Sequence, residues 1–164
     1  MRWQEIGDID CSVARSLSVV GDRWTLLILR DCFLGRRRFD DFLASLDVSP
    51  HLLSTRLGKL VEAGILERTP YCERPVRCDY RLSEKGRDLY PVIASLVRWG
   101  DRWMAGDDGP PVELVHESCG HATTPLLACS ECGETIEPRD VRAVLRPSAG
   151  RAPSASRNRQ RRSP

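Results

Sequence analysis

The stretch DVSPHLLSTRLGKLVEAGIL, Asp47 to Leu66, decides the fold. Ser49 followed by Pro50 reads as a helix start: a side-chain acceptor for an orphan amide, then a residue with no N–H to leave unpaired. Leu53, Leu57, Leu60 and Val61 recur at helical spacing and make an inward stripe. His51, Ser54, Thr55 and Lys59 lie on the opposite side, with Arg56 at its flank. Gly64 closes the helix. A helix with a short, donor-rich outer face presented at a capped N-terminus can enter a DNA major groove, about 12 Å wide.

Upstream, CSVARSLSVVGDRWTLLILRDCF carries Val13, Leu17, Val20, Trp24, Leu27 and Ile28 at spacings of three and four, which predicts helix. Gly21-Asp22 divides it into two helices, and Gly35 ends the second. Arg36, Arg37 and Arg38 follow as a basic turn, and Phe39 to Leu46 is a short helix. Downstream of Gly64 the apolar period changes to two. ILERTPY and RCDYRLS read as strands, with CERPV as a hairpin tip. Arg74 sits at that tip and Arg77 on an arm; Cys72 and Cys78 flank it and could approach across it. Ser83 then caps a long helix, EKGRDLYPVIASLVRWGDRW, with Leu89, Val92, Ile93, Leu96, Val97 and Trp103 as its stripe and Pro91 as a point of bending.

Helix, helix, capped helix, hairpin, long helix is the order of a winged helix-turn-helix, mainly α with a small antiparallel β-hairpin wing. Ser49, His51, Ser54, Thr55, Arg56 and Lys59 are the candidate DNA contacts on the capped helix. Arg56 could donate bidentately to a guanine edge. Arg36, Arg37, Arg38, Arg74 and Arg77 are candidates for phosphates or a minor groove. Of 25 basic residues only Lys59 and Lys85 are lysines, and arginine favours bidentate contacts. The net charge of +2 says little by itself.

CSVARSLSVVGDRWTLLILRDCFLGRRRFDDF, SPHLLSTRLGKLVEAGILER and YRLSEKGRDLYPVIASLVRWG closely resemble the HxlR family of winged-helix transcriptional regulators, relatives of the MarR group. The resemblance implies a sequence-specific DNA-binding regulator and not an enzyme. It implies a homodimer built from first and last helices, binding a two-fold double-stranded DNA operator. A repressor is the expected form of the regulator. It makes Ser49–Glu62 the recognition helix and residues 68–81 the wing. In some members a cysteine matching Cys11 senses oxidants or electrophiles. Cys11 stands at a helix start, a setting that suits a reactive thiol. The expected signal is therefore redox, electrophilic or a small molecule.

Residues 1–106 form the expected DNA-binding and dimerisation domain. Asp107-Asp108-Gly109-Pro110-Pro111 is a breaker cluster, read as a linker over 107–111. Residues 112–146 hold HESCGHATTPLLACSECG, which contains three of the seven cysteines and two of the three histidines. His116-x-x-Cys119-Gly120 and Cys129-x-x-Cys132-Gly133 repeat a knuckle pattern. The glycine permits a turn that aims backbone N–H groups at sulfur. His116, Cys119, Cys129 and Cys132 make the closed Cys₃His set of a structural zinc, with His121 as alternative fourth ligand. A closed set leaves no open position for catalysis. This predicts a small zinc-ribbon-like extension. Residues 147–164 carry five arginines, no acid and no large apolar side chain, the composition of a disordered basic tail.

No apolar run reaches the ~20 residues of a membrane span, and the N-terminus lacks a signal pattern; the expected compartment is the cytoplasm. A second reading, of a different class, is a zinc-stabilised protein-interaction module on a winged-helix scaffold.

Overall fold

The computed structural model describes residues 3–144. The chain divides into two compact units, residues 1–125 and 126–164. The division falls between the two knuckles and not at the Asp107–Pro111 breaker. The predicted basic tail lies outside the described residues.

In the first unit a 3₁₀ turn, Trp3–Asp8, precedes α1 (Ser12–Val20), α2 (Arg23–Phe33), α3 (Phe39–Leu46) and α4 (Pro50–Glu62). The hairpin β1 (Leu66–Glu73) and β2 (Val76–Leu82) follows, then α5 (Glu84–Arg87), α6 (Tyr90–Met104) and a two-residue pair, β3 (Val115–His116) and β4 (His121–Ala122). Among the described residues no helix is long and apolar enough to cross a membrane.

The core lies where α2, α3, α4, β1 and α6 meet. Ile28, Leu29, Phe42, Leu53, Leu57, Leu60, Ile65 and Leu66 are almost wholly buried there, with Ile93 of α6 beside them. The α4 stripe is therefore the stripe read from sequence, with Val61 at its edge. Burying each leucine of that stripe contributes about 1.5–3 kcal/mol.

Two sequence expectations are corrected. The long helix after Ser83 is two helices, α5 and α6, parted at Asp88–Leu89. Pro91 sits in the first turn of α6, where its missing N–H costs nothing; inside a continuous helix its ring would collide with the carbonyl of Arg87. The strands also run closer to the tip than expected, leaving only Arg74 and Pro75 between them. A register shift between Pro70 and Cys72 had disguised the alternation.

The base of the hairpin is tied to the end of α4. The Ser83 hydroxyl donates to the Gly64 carbonyl at 2.7 Å and accepts from the Gly86 amide at 3.0 Å. Lys85 Nζ donates to the Ala63 carbonyl at 2.8 Å. The Lys85 bond satisfies a carbonyl that the end of α4 leaves orphaned, and the Gly86 bond an amide at the start of α5. Gly86 is buried so closely that a Cβ there would run into the Ile65 carbonyl.

The long apolar side chains of α1 and α6 are not all in the core. Val13 and Leu17 of α1 are exposed, as are Val92, Leu96, Trp99 and Trp103 of α6, the last at 65%. The periodicity was helical as read, but it reports a face that the monomer does not cover.

Candidate nucleic-acid interface

The α4 helix starts as its sequence dictates. Ser49 accepts a hydrogen bond from the Leu52 amide at 3.3 Å, and Pro50 occupies the first turn. The αL residue Asp47 (φ 48°) ends α3 just before it. Beyond the cap, His51, Ser54, Thr55 and Lys59 are all exposed. The Thr55 hydroxyl donates back to the His51 carbonyl at 2.9 Å, which fixes its rotamer and leaves its lone pairs outward.

Arg56 is placed differently from its neighbours. Its Nη2 lies 3.0 Å from Asp22 Oδ2, and its side chain is 23% exposed. Its Nε is buried without a hydrogen-bond partner. The other carboxylate oxygen, Asp22 Oδ1, accepts from the Trp24 amide at 3.0 Å and caps α2. Arg56 is thus engaged with the α1–α2 junction and is not presented with its polar neighbours. Only the helix-start pattern Gly21-Asp22 hinted at that partner.

The basic turn and the wing are one structure. The Tyr80 amide donates to the Arg37 carbonyl at 2.7 Å, and Arg38 bridges to Asp79 in antiparallel sense. Arg38 Nε stands 4.0 Å from Asp79 Oδ1, and its guanidinium lies over the Tyr71 ring at 4.9 Å. Arg37 and Arg38 are exposed; Arg36 is half-buried, with Nη1 3.2 Å from Asp31 Oδ1. Tyr71, an exposed wing aromatic, was not among the expected site residues. Arg74 at the tip and Arg77 on β2 are exposed.

Asp31 is fully buried and also takes Arg30, at 2.7 Å, on the same oxygen Oδ1. Two guanidinium groups on one carboxylate oxygen leave this corner net positive.

Pairing places Cys72 opposite Arg77 and Pro70 opposite Cys78. Successive residues of β2 alternate faces, so Cys72 and Cys78 leave the hairpin on opposite sides and do not approach across it. The Cys78 sulfur instead hydrogen-bonds Arg68 and holds that guanidinium above its ordinary value. Cys32 is half-buried on α2; burial, then the neighbouring Asp31 carboxylate, push its thiol up to about 12. Cys11 is the exposed N-cap residue of α1.

The knuckles are each formed within their own unit. In the first, β3 and β4 make a short hairpin, and His116 Nδ1 lies 3.4 Å from Cys119 Sγ. The Gly120 amide closes the turn onto the His116 carbonyl at 2.8 Å with φ +70°. His121 stands opposite His116 in the register. In the second, Ala128 bridges Thr135, and the Gly133 amide donates to the Cys129 carbonyl at 2.9 Å with φ +76°. The amides of Cys132 and Glu131, then the Cys132 thiol, donate to the Cys129 sulfur and hold its thiol below the ordinary value. Within either unit, no group of three or more His, Cys, Asp or Glu side chains is gathered among the described residues.

Residues 19–108 match the HxlR-like helix-turn-helix family. An uncharacterised HTH-type transcriptional regulator of Mycobacterium tuberculosis is 48% identical over 130 residues, which are 79% of this chain and 82% of that protein. One of Synechocystis is 34% identical over 101 residues, 61% of this chain and 74% of the other. Among solved structures, PA1607, a candidate transcription factor, superposes with a TM-score of 0.74 at 34% identity, covering 84% of this chain and 96% of its own. The redox regulator HypR in reduced form superposes with a TM-score of 0.53 at 28% identity, covering 56% of this chain and 92% of its own.

Proposed function

The chain belongs to the HxlR-like helix-turn-helix family, and from that premise we propose that it is a homodimeric, sequence-specific repressor whose signal is redox, electrophilic or a small molecule. The coarser statement stands by itself: it is a transcriptional regulator with a helix-turn-helix DNA-binding fold, in a family of regulators and not of enzymes.

One observation supports the DNA-contact part of this reading. The exposed polar face of α4, behind a capped N-terminus, is accompanied by a wing and turn whose Arg37, Arg38, Arg74 and Arg77 are all exposed. His51, Ser54 and Thr55 would read base edges, with Ser49 and Lys59 at the helix ends and the arginines, Arg36 included, on phosphates. Arg56 would hold α4 at its working angle through Asp22. The dimer would form on the uncovered apolar faces of α1 and α6, presenting two α4 helices to successive major grooves about 34 Å apart. The cytoplasm is the matching compartment. Cys11, exposed at the start of α1, would carry a thiol signal, and the likeness to HypR favours testing it.

His116, Cys119, Cys129 and Cys132 would hold one structural zinc. The fit rests on local chemistry: imidazole nitrogen already beside thiol in one knuckle, and amides aimed at sulfur in the other. Zinc bound there would supply folding free energy to segments too small to form their own core.

The test is binding of the purified dimer to duplex fragments from upstream of its own gene, across a salt series. Affinity falling steeply with salt supports the regulator. Failure to bind any duplex at low salt would leave the interaction-module reading. One zinc per chain by elemental analysis, lost in Cys129→Ser, tests the metal; His116→Ala against His121→Ala decides the fourth ligand.

A further inference from the structure

Two cavities meet beneath α6, and they differ in character. One, of about 570 Å³, is walled by Phe33, Leu34, Ile93, Ala94 and Val97, and closed by Val112 and Leu114 of the segment that follows α6. The other, of about 590 Å³, lies at the base of the wing and is lined by Arg36, Arg37, Arg81 and Arg87, with Glu67 as its one acid. Arg36, Phe33 and Tyr90 line both. Phe33 and Tyr90 meet edge to face, 5.2 Å between ring centres, at the boundary.

We propose that this pair of cavities binds an amphipathic anion: an apolar chain or ring carrying a carboxylate or phosphate head. It rests on the reading of the protein as a regulator that answers a small molecule, and it names that molecule's chemistry.

Charge sets the orientation. Of the four guanidinium groups set against Glu67, Arg36 is paired with Asp31 and Arg81 with Asp79 at 3.1 Å, and the positive charge that remains makes the wing-side cavity anion-seeking. Arg36, which lines both cavities, shares one Asp31 oxygen with Arg30, which lines the apolar cavity alone, and both guanidinium groups remain partly exposed, at 38% and 39%. The apolar cavity sets Asp101 against Arg30 and Arg36, both already paired with the Asp31 carboxylate, so its charges nearly balance. The head therefore belongs among the arginines and the apolar body under α6.

The cavity face of α6 is not its uncovered face. Ile93, Ala94 and Val97 line the cavity, whereas Val92, Leu96, Trp99 and Trp103 stand roughly a third of a turn away around the helix. Ligand and second copy of the chain can use α6 together. Arg37 belongs both to the cavity and to the turn hydrogen-bonded to β2, so occupancy would bear on the wing directly.

Titration calorimetry of the full chain with decanoate, decyl phosphate, decanol and inorganic phosphate tests this without any DNA. Decanoate or decyl phosphate should bind, and the tighter of the two identifies the head. Decanol and inorganic phosphate should each bind at least ~10-fold more weakly, since one charge-assisted contact is worth about that factor. Arg81→Gln should cost about 10-fold, as should Ala94→Phe, which fills the apolar half, and Val112→Gln, which changes its exposed wall without touching the core. The proposal is overturned if neither anion binds below about 1 mM, if decanol binds as tightly as decanoate, or if affinity is unchanged in Arg81→Gln or in both apolar-half variants. Anion binding by a chain that binds no duplex would overturn the regulator reading and leave this site standing.

Discussion

Asp22 and Arg56 meet at 3.0 Å, and the same carboxylate caps α2 through the Trp24 amide. One side chain thus sets both the start of α2 and the seat of α4. Asp22→Ala should lose about 1 kcal/mol from the cap and more from the stranded guanidinium, about 2–4 kcal/mol in all. Urea unfolding of Asp22→Ala, Arg56→Ala and the double variant should show a coupling of at least ~0.5 kcal/mol. In DNA binding, Arg56→Ala should weaken all operator variants alike. Relaxed preference at a single base pair would instead make Arg56 a base reader.

Lys59 and Arg74 are exposed at the far end of α4 and at the wing tip. Lys59→Ala and Arg74→Ala should each lower the slope of log affinity against log salt by about 1, with sequence preference kept. Ser54→Ala should change preference among operator variants with the salt slope unchanged. Fluorescence anisotropy on a panel of duplexes reads both.

Gly86 has no room for a methyl group because the Ile65 carbonyl occupies its place. Gly86→Ala should destabilise the fold by about 1–3 kcal/mol, lowering the denaturation midpoint with an unchanged slope. Gly58, where nothing stands within 4 Å of an added Cβ, is the control: Gly58→Ala should be neutral or stabilising, by up to about 1 kcal/mol.

The Cys32 thiol, raised from 9.0 to about 12, should stay protonated and resist alkylation in the native protein at neutral pH, while exposed Cys11 reacts. The unfolded chain gives up this proton near pH 9 and the folded chain near 12. Stability contributed by the neutral thiol is therefore full below about 9 and falls as pH rises toward 12, by at most about 1.4 kcal/mol per pH unit. Cys32→Ala should flatten that part of the pH–stability curve.

Leu96, Trp99 and Trp103 are exposed on α6. Sedimentation should find a dimer at micromolar concentration, and Trp103→Glu with Leu96→Glu should give a folded monomer. Its operator affinity should fall by at least ~100-fold, because two half-sites no longer act together.

The sequence disclosed α4 in full because cap, stripe and closing glycine all lie within one short run. It hid three things for separate reasons. The fate of Arg56 depends on Asp22, a residue two elements upstream, which no local pattern connects to it. The division between α5 and α6 was masked because a proline in a first turn and a proline that bends a helix look alike in sequence. Trp103 kept the helical period of a core residue, and period alone cannot separate an apolar face covered by the same chain from one that is not. In the interface, exposed positions on α4 followed from the stripe opposite them. The seat of Tyr71 under Arg38 lies at a register shift that alternation could not show, and the bridge from Arg38 to Asp79 joins residues far apart in the chain.

Ser83 has a further consequence. Its hydroxyl joins the Gly64 carbonyl, just past the end of α4, to the Gly86 amide in α5, at the point where β2 ends. The reading helix, the wing and the start of the path to α6 are pinned at one knot, with no loose loop among them to absorb a rotation. A tilt of α6 should then be transmitted to α4 and the hairpin as a lever turns a key, and in the proposed dimer the register between two half-sites would be a property of helix angle and not of linker length.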